Sequence, residues 1–229
     1  MRRLPLLLAA AAMLVGSATA AADDPIFIYG SSDADSIEVF SGLPGYKNSF
    51  WWDHPNLTVA VHTAPNVDAA KLEAIRDAIE VWRAALATQL PEISLTDVTG
   101  APTSDSADIL VHYVPNAGGS RWGGNAHCGV QKCLNVIIRS DLHNHYVTGE
   151  TKDFSPVRLQ RLAVHELGHA LGLGHAAPIE ESRDVMGYGW IPDLVPILSD
   201  CDLAGIRAAF SWVFEGQAPH PSAVPEVTC

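Results

Sequence analysis

Residues 165–175 read HELGHALGLGH and hold three histidines, one glutamate and three glycines. His165 and His169 lie four residues apart, so on a helix both imidazoles would project from one face, one turn apart. Two imidazoles at that spacing can bind one metal ion, and zinc suits imidazole ligands. Glu166 is placed to take a proton from a zinc-activated water. The stretch therefore predicts a catalytic zinc centre on a helix.

A catalytic zinc needs a third protein ligand, which a straight helix would carry away from the ion. Gly172 follows His169 by three residues, and glycine readily adopts the left-handed conformation that ends a helix. A turn at Gly172 would bring His175 to the ion from the side. The alternative is an ordinary Ala/Leu/Gly-rich helix, which explains the leucines but not three histidines, a glutamate and a glycine in register.

The composition indicates a globular protein with one domain. The chain has 229 residues, 48% hydrophobic and 17% charged, with a formal net charge of −12. This acidity disfavours nucleic-acid binding, because like charges repel phosphate backbones. We expect a monomer.

The N-terminus has the three-part pattern of a secretory signal peptide. Residues 1–22 combine a basic start, a short apolar run and small residues at the cleavage site. No later segment is long and apolar enough to cross a membrane. The pattern predicts a secreted, extracellular or periplasmic protein with no membrane association once the signal is removed.

Four cysteines fit an oxidising compartment and two disulfides. Three pairings are possible. We favour Cys128–Cys133, closing a short loop, and Cys201–Cys229, tethering a C-terminal tail of residues 215–229. The rival interpretation, a zinc cluster of all four cysteines, usually shows paired C-x2-C spacings, which are absent here.

Hydrophobic periodicity predicts three helices, and Trp82 falls on the apolar stripe of the first. The helices span residues 68–90, 155–172 and 199–213. Strands are expected at residues 57–63, 93–95, 108–114 and 134–140. The Gly-rich segment 116–133 and the polar segment 141–153 are predicted to be loops. His143 and His145 in the second loop, with Asp141, are candidates for a structural Ca2+ or second Zn2+ site, although solvent-exposed histidines are the commoner explanation.

Residues 23–50 show weak periodicity and allow three interpretations: a short pro-segment, an extended arm or a first strand. If this segment keeps the protein latent, an acidic side chain such as Asp33 or Asp35 would cap the zinc.

The extended motif resembles that of the metzincin zinc endopeptidases, H-E-x-x-H-x-x-G-x-x-H followed by a Met-turn. The matching residues are His165, Glu166, His169, Gly172 and His175. The resemblance implies that Met186, in SRDVMGYG, forms an apolar base beneath the zinc without binding it. Tyr188 stands two residues later, as in astacins and serralysins, where a tyrosine at that place reaches the zinc or the transition-state oxyanion.

A second stretch, LSDCDLAGIRAAF (residues 198–210), resembles the last helix of the matrixins. The resemblance covers roughly residues 51–214 and identifies the chain as a matrixin-like metzincin. It implies an α+β catalytic domain over residues 51–214, with a twisted mixed sheet of about five strands and three main helices.

Together these features predict a secreted zinc-dependent endopeptidase whose protein or peptide substrate binds extended along an edge strand. The alternative is a non-catalytic zinc-binding or adhesive module of the same fold. Glu166 argues against that alternative, because a pure ligand-binding protein needs no base there.

Overall fold

The computed structural model describes residues 27–43, 50–65, 67–114, 123–128, 133–139, 141–143, 151–178, 182–187 and 195–229. The strands are β1 (Ile28–Gly30), β2 (Ser36–Val39), β3 (Asn56–Thr63), β4 (Ser94–Asp97), β5 (Ile109–Val114), β6 (Gly124–Cys128), β7 (Cys133–Arg139), β8 (Asp141–His143), β9 (Thr151–Asp153), β10 (Leu173–Ala177), β11 (Ile197–Ser199) and β12 (Glu226–Thr228). The helices are α1 (Ala69–Gln89), α2 (Pro156–Ala170), α3 (Asp200–Ala209) and α4 (Ser211–Glu215).

The largest sheet has five strands in the order β4-β3-β5-β7-β6. The first four are parallel, and β6 is antiparallel to β7 and forms an edge. The predicted α+β fold with a mixed sheet of about five strands is confirmed.

Two predicted loops are partly strands. The Gly-rich segment contains β6, and the polar segment contains the paired strands β8 and β9. The less exposed residues of β6 are small, and β8 and β9 have only three residues each, so hydrophobic alternation gives little signal in either segment. Both therefore depend on pairing with a partner strand, which a periodicity argument does not detect.

The first helix follows its sequence pattern closely. Asp68 accepts a hydrogen bond from the Ala70 backbone N–H (2.9 Å), and α1 ends just before Leu90 and Pro91. Trp82 is fully buried, and its indole N–H donates to the Val164 carbonyl of α2 (2.8 Å). Helix α1 thus holds α2 within the core.

The last predicted helix is divided into two. Ser199 and Asp202 form a capping box that starts α3. The backbone then leaves helical geometry at Phe210 (φ −107°, ψ 27°), whose side chain is fully buried, and α4 follows. The apolar pattern continues across this break, so periodicity alone predicted one helix.

Segments near both ends of the described chain join two smaller sheets. Strand β2 lies between β10 and β12 and is antiparallel to both, whereas β1 is parallel to β11. Of the three interpretations of residues 23–50, the strand therefore applies to residues 28–30 and 36–39. Among the helices that the structure describes, none combines the length and apolarity needed to cross a membrane.

A disulfide joins Cys201 of α3 to Cys229, next to β12. Cys128 is also disulfide-bonded, and its backbone lies opposite that of Cys133 in the β6–β7 pair. Because Cys201 and Cys229 are bonded to each other, they are not thiolate ligands. The rival four-cysteine zinc cluster is therefore ruled out.

Candidate metal centre

The three histidines of the motif converge in the structure. His165 and His169 lie on α2, with ring centroids 4.6 Å apart. The chain turns at Gly172, whose φ of 109° is in the left-handed region, and enters β10. The ring centroid of His175, on β10, lies 4.8 Å from that of His169 and 5.5 Å from that of His165.

The nitrogens that these rings offer all lie within 4.8 Å of one another, close enough to surround one ion. Among the described residues, no other group of three or more His, Cys, Asp or Glu side chains is arranged this way.

Hydrogen bonds fix two of the rings by their Nδ1 atoms. His165 Nδ1 lies 2.7 Å from the Val185 carbonyl oxygen, and His169 Nδ1 lies 2.8 Å from that of Leu173. A carbonyl only accepts, so each Nδ1 carries the proton and each Nε2 keeps its lone pair. Metal-binding histidines commonly show this arrangement, in which the second nitrogen sets the tautomer and the ring orientation.

Burial keeps the imidazoles neutral. It lowers the pKa of His165 and of His175 to about 4, and it lowers the pKa of His169 well below its usual value, with the neighbouring histidines adding to the effect. A metal binds the neutral imidazole, so no proton has to be displaced near pH 7. Three neutral imidazoles with convergent nitrogens, two of them oriented by hydrogen bonds, fit a zinc ion.

Glu166 is buried beside the triad and packs against β6. Burial raises the pKa of its carboxyl to about 8, opposed by a hydrogen bond from the Ala126 backbone N–H. A Cβ atom on Gly124 would come within 2.5 Å of Glu166 Oε1, so only glycine allows this approach. Glu166 Oε2 is buried and has no hydrogen-bond partner among the described residues.

Met186 lies beneath the helix that carries the first two histidines. Its side chain is fully buried, and a Cβ atom on Gly168 would come within 2.3 Å of its Sδ atom. Its carbonyl accepts a hydrogen bond from the Ala176 N–H of β10 (3.1 Å). Met186 thus contacts both segments that carry histidines.

In the structure, Asp33 and Asp35 are engaged away from the histidines and do not cap the proposed zinc site. Asp33 accepts hydrogen bonds from the Ser182 hydroxyl (2.9 Å) and the Arg183 backbone N–H (2.8 Å), and it pairs with the Arg183 side chain. Asp35 makes backbone hydrogen bonds to Ala177 and Cys229. Neither carboxylate belongs to the histidine cluster. Asp33 instead anchors the N-terminal segment to the loop before Met186.

Several candidates fall outside the described residues. Tyr188 and His145 are among them. The structure describes His143, Asp141 and Cys133 by their backbone alone, so the second metal site and the role of Tyr188 stay predictions.

Sequence reasoning missed three side chains that surround the site. Phe40 stacks on the His169 ring, Glu38 accepts a hydrogen bond from the His175 backbone, and the Trp52 indole donates to the Ala170 carbonyl. They lie in weakly patterned segments before α1. In these segments only the aromatic residues, Phe40 and Trp52, indicate from the sequence that the segments contribute to the core.

Comparison with known proteins agrees with this geometry. The family model described as Matrixin matches residues 50–210. Interstitial collagenase of Bos taurus is 28% identical over 218 residues, covering 87% of this chain and 43% of the relative. That of Oryctolagus cuniculus is 29% identical over 179 residues, covering 75% and 34%.

The chain thus spans less than half the length of these relatives. The match nevertheless includes the helix with HELGHALGLGH, the turn at Gly172, the strand with His175 and the capped helix α3. The predicted resemblance is confirmed: this chain belongs to the matrixin family of zinc metalloendopeptidases.

Proposed function

We propose that this chain is a secreted zinc endopeptidase whose ion is held by His165, His169 and His175. One observation carries the proposal: three neutral imidazoles, two of them buried, converge next to a buried carboxyl group with one unpartnered oxygen. A purely structural metal site is usually closed by four protein ligands, whereas three ligands leave a position open for chemistry.

Each residue has a distinct role in the proposed reaction. Zinc, when bound, supplies Lewis acidity that polarises the scissile carbonyl and makes a water molecule more acidic. Glu166 takes a proton from the attacking water and later delivers it to the leaving amine. Met186 supports the site from below, and Tyr188 stabilises the oxyanion.

Strand β6 is the proposed docking edge for the substrate. It forms one edge of the five-stranded sheet, and Gly124 and Ala126 on it contact the Glu166 carboxyl. An extended peptide added along this edge would pass next to the base, as in β-strand addition. Backbone hydrogen bonds would then align the scissile bond with Glu166.

The proposal includes export. The signal pattern of residues 1–22 and the disulfides both fit an oxidising, extracellular or periplasmic compartment. The proposed layout is a signal peptide (1–22), an N-terminal segment (23–50), a catalytic domain (51–214) and a disulfide-tethered tail (215–229).

The Glu166→Ala variant tests the proposal. It should lower cleavage of a casein substrate by roughly 10²–10⁴-fold, the usual contribution of a general base, while metal analysis still finds one zinc per chain. The control is Glu92→Ala, because Glu92 is an exposed glutamate outside the site. Cleavage by Glu166→Ala at the wild-type rate would refute the assigned role of Glu166. A wild-type protein that binds zinc but cleaves nothing would instead support the binding-module alternative.

A further inference from the structure

Residues 36–42, here called the N-terminal strap, lie against the segment that carries the third histidine. The strap consists of β2 and the 3-10 turn Phe40–Gly42. Strand β2 pairs with β10 on both sides of His175, through Val39 opposite Leu173 and Ile37 opposite Ala176. The register is irregular between these pairs, so the strap holds both ends of the short segment that contains His175.

Phe40 of the strap contacts a metal-binding histidine directly. Its ring stacks on the His169 ring with centroids 5.3 Å apart and an interplanar angle of 19°. The Phe40 backbone N–H also donates to the Gly172 carbonyl (3.0 Å), at the turn between the helix and β10. His169 is therefore fixed at Nδ1 by Leu173 and across one ring face by Phe40.

Glu38 of the strap contacts the other end of the motif. Its Oε2 accepts a hydrogen bond from the His175 backbone N–H (3.3 Å). A Cβ atom on Gly174 would lie 2.4 Å from Glu38 Cβ, so the two backbones approach as closely as glycine allows. The bond replaces the β-ladder pairing that is interrupted at His175.

We propose that the strap is a permanent positioning element of the metal centre, in which Phe40 sets the plane of the His169 ring and Glu38 sets the backbone of His175. This inference rests on the proposed zinc site. It assigns the strap a role opposite to that of an inhibitory pro-segment, because its removal would loosen the ligands instead of opening the site. Groups that orient metal ligands without touching the ion typically change metal affinity by roughly 10–100-fold when mutated.

The Phe40→Leu and Phe50→Leu variants of the full chain form a matched pair. Both rings are buried in one aromatic cluster, 6.4 Å apart, but the ring contacts of Phe50 are with Phe40 and Trp52. Competition with a chromophoric chelator gives the Zn2+ dissociation constant, and visible absorption of the Co2+-substituted protein reports ligand geometry. Phe40→Leu should weaken Zn2+ binding roughly 10–100-fold and shift the Co2+ bands. Phe50→Leu should leave both close to wild type.

A second pair covers the case in which Phe40→Leu does not fold. Glu38→Gln and Glu38→Ala both remove the charge, but only Gln keeps an oxygen that can accept the His175 N–H. Glu38→Ala should weaken Zn2+ binding and shift the Co2+ bands, whereas Glu38→Gln should keep the Zn2+ affinity and the Co2+ bands close to those of the wild type. Equal Zn2+ affinities and Co2+ spectra within each pair would overturn the positioning role and leave the proposed function standing. A wild-type protein that binds no Zn2+ would overturn both.

Discussion

The candidate metal centre rests on two supports of different kinds. Helix α2 carries His165 and His169 within a single turn, and its carbonyls are engaged by two buried indoles, those of Trp52 and Trp82. Strand β10 carries His175 and is held by β2, which is in turn held by β12. The helical half is encoded locally and buried in the main core, whereas the strand half depends on segments far away in the sequence.

This difference predicts two modes of failure. Damage to the support of α2 affects the main core and should unfold the domain cooperatively. Damage to the small sheet β10-β2-β12 should open that sheet first, because its outer strand β12 is largely exposed and local units with exposed backbone hydrogen bonds open at lower free energy. The following variants, from the largest expected effect to the smallest, test this distinction.

Trp82→Ala should have the largest effect. Trp82 is fully buried, and its indole donates to the Val164 carbonyl, so the variant leaves a large cavity and an unpaired acceptor. The expected loss is about 3–5 kcal/mol in the free energy of unfolding. Chemical denaturation measures the loss, and hydrogen exchange should accelerate throughout α1, α2 and the five-stranded sheet together. If hydrogen exchange accelerated in α1 alone, α1, α2 and the five-stranded sheet would not unfold as one cooperative unit.

Removing the Cys201–Cys229 disulfide with a double alanine variant should have an intermediate effect. The cysteines are 28 residues apart, and the expected loss is about 2–4 kcal/mol. Hydrogen exchange should accelerate in β12, β2 and β10 before it does in α2. The control is the double alanine variant of Cys128 and Cys133, five residues apart, for which chain entropy predicts roughly 1.5 kcal/mol less. Equal losses would show that loop closure does not determine the effect.

Gly42→Ala, compared with Gly30→Ala, should have the smallest effect of the three changes. A Cβ atom on Gly42 would lie 1.9 Å from the Val224 carbonyl oxygen, whereas one on Gly30 would meet nothing within 4 Å. Gly42→Ala should cost about 1–3 kcal/mol and loosen the contact between the strap and the tail. Gly30→Ala should stay within about 0.5 kcal/mol of wild type. Differential scanning fluorimetry compares the two variants, and a Gly30→Ala effect as large as that of Gly42→Ala would contradict the steric explanation.

The same division explains what the sequence could predict. The starts of the first two helices near residues 68 and 155, the helix spacing of His165 and His169, and the turn at Gly172 all depend on neighbours within a few residues. The hydrogen bond from His175 to Glu38 joins residues 137 positions apart, and no periodicity encodes it. Residues 23–50 could therefore be read as a pro-segment, an arm or a strand with equal justification.

The sheet shows a similar limit. Strand β3, with its alternating apolar residues, is visible in the sequence, and so is β5. The edge strand β6 is not, because the residues on its less exposed face, Gly124, Ala126 and Cys128, are small and give little hydrophobic signal. The proposed substrate-binding edge was consequently predicted as a loop. Its assignment required the antiparallel register with β7.

The pairing of β2 with β12 also constrains when the protein can mature. Ser36 and Glu226, which are hydrogen-bonded across this pair, are 190 positions apart. A ribosome releases the chain from its N-terminus, so β2 emerges long before either neighbouring strand exists. The strand with His175 gains its full support only after β12 has been synthesised, so the proposed zinc site can be completed only after residues 226–228 have emerged.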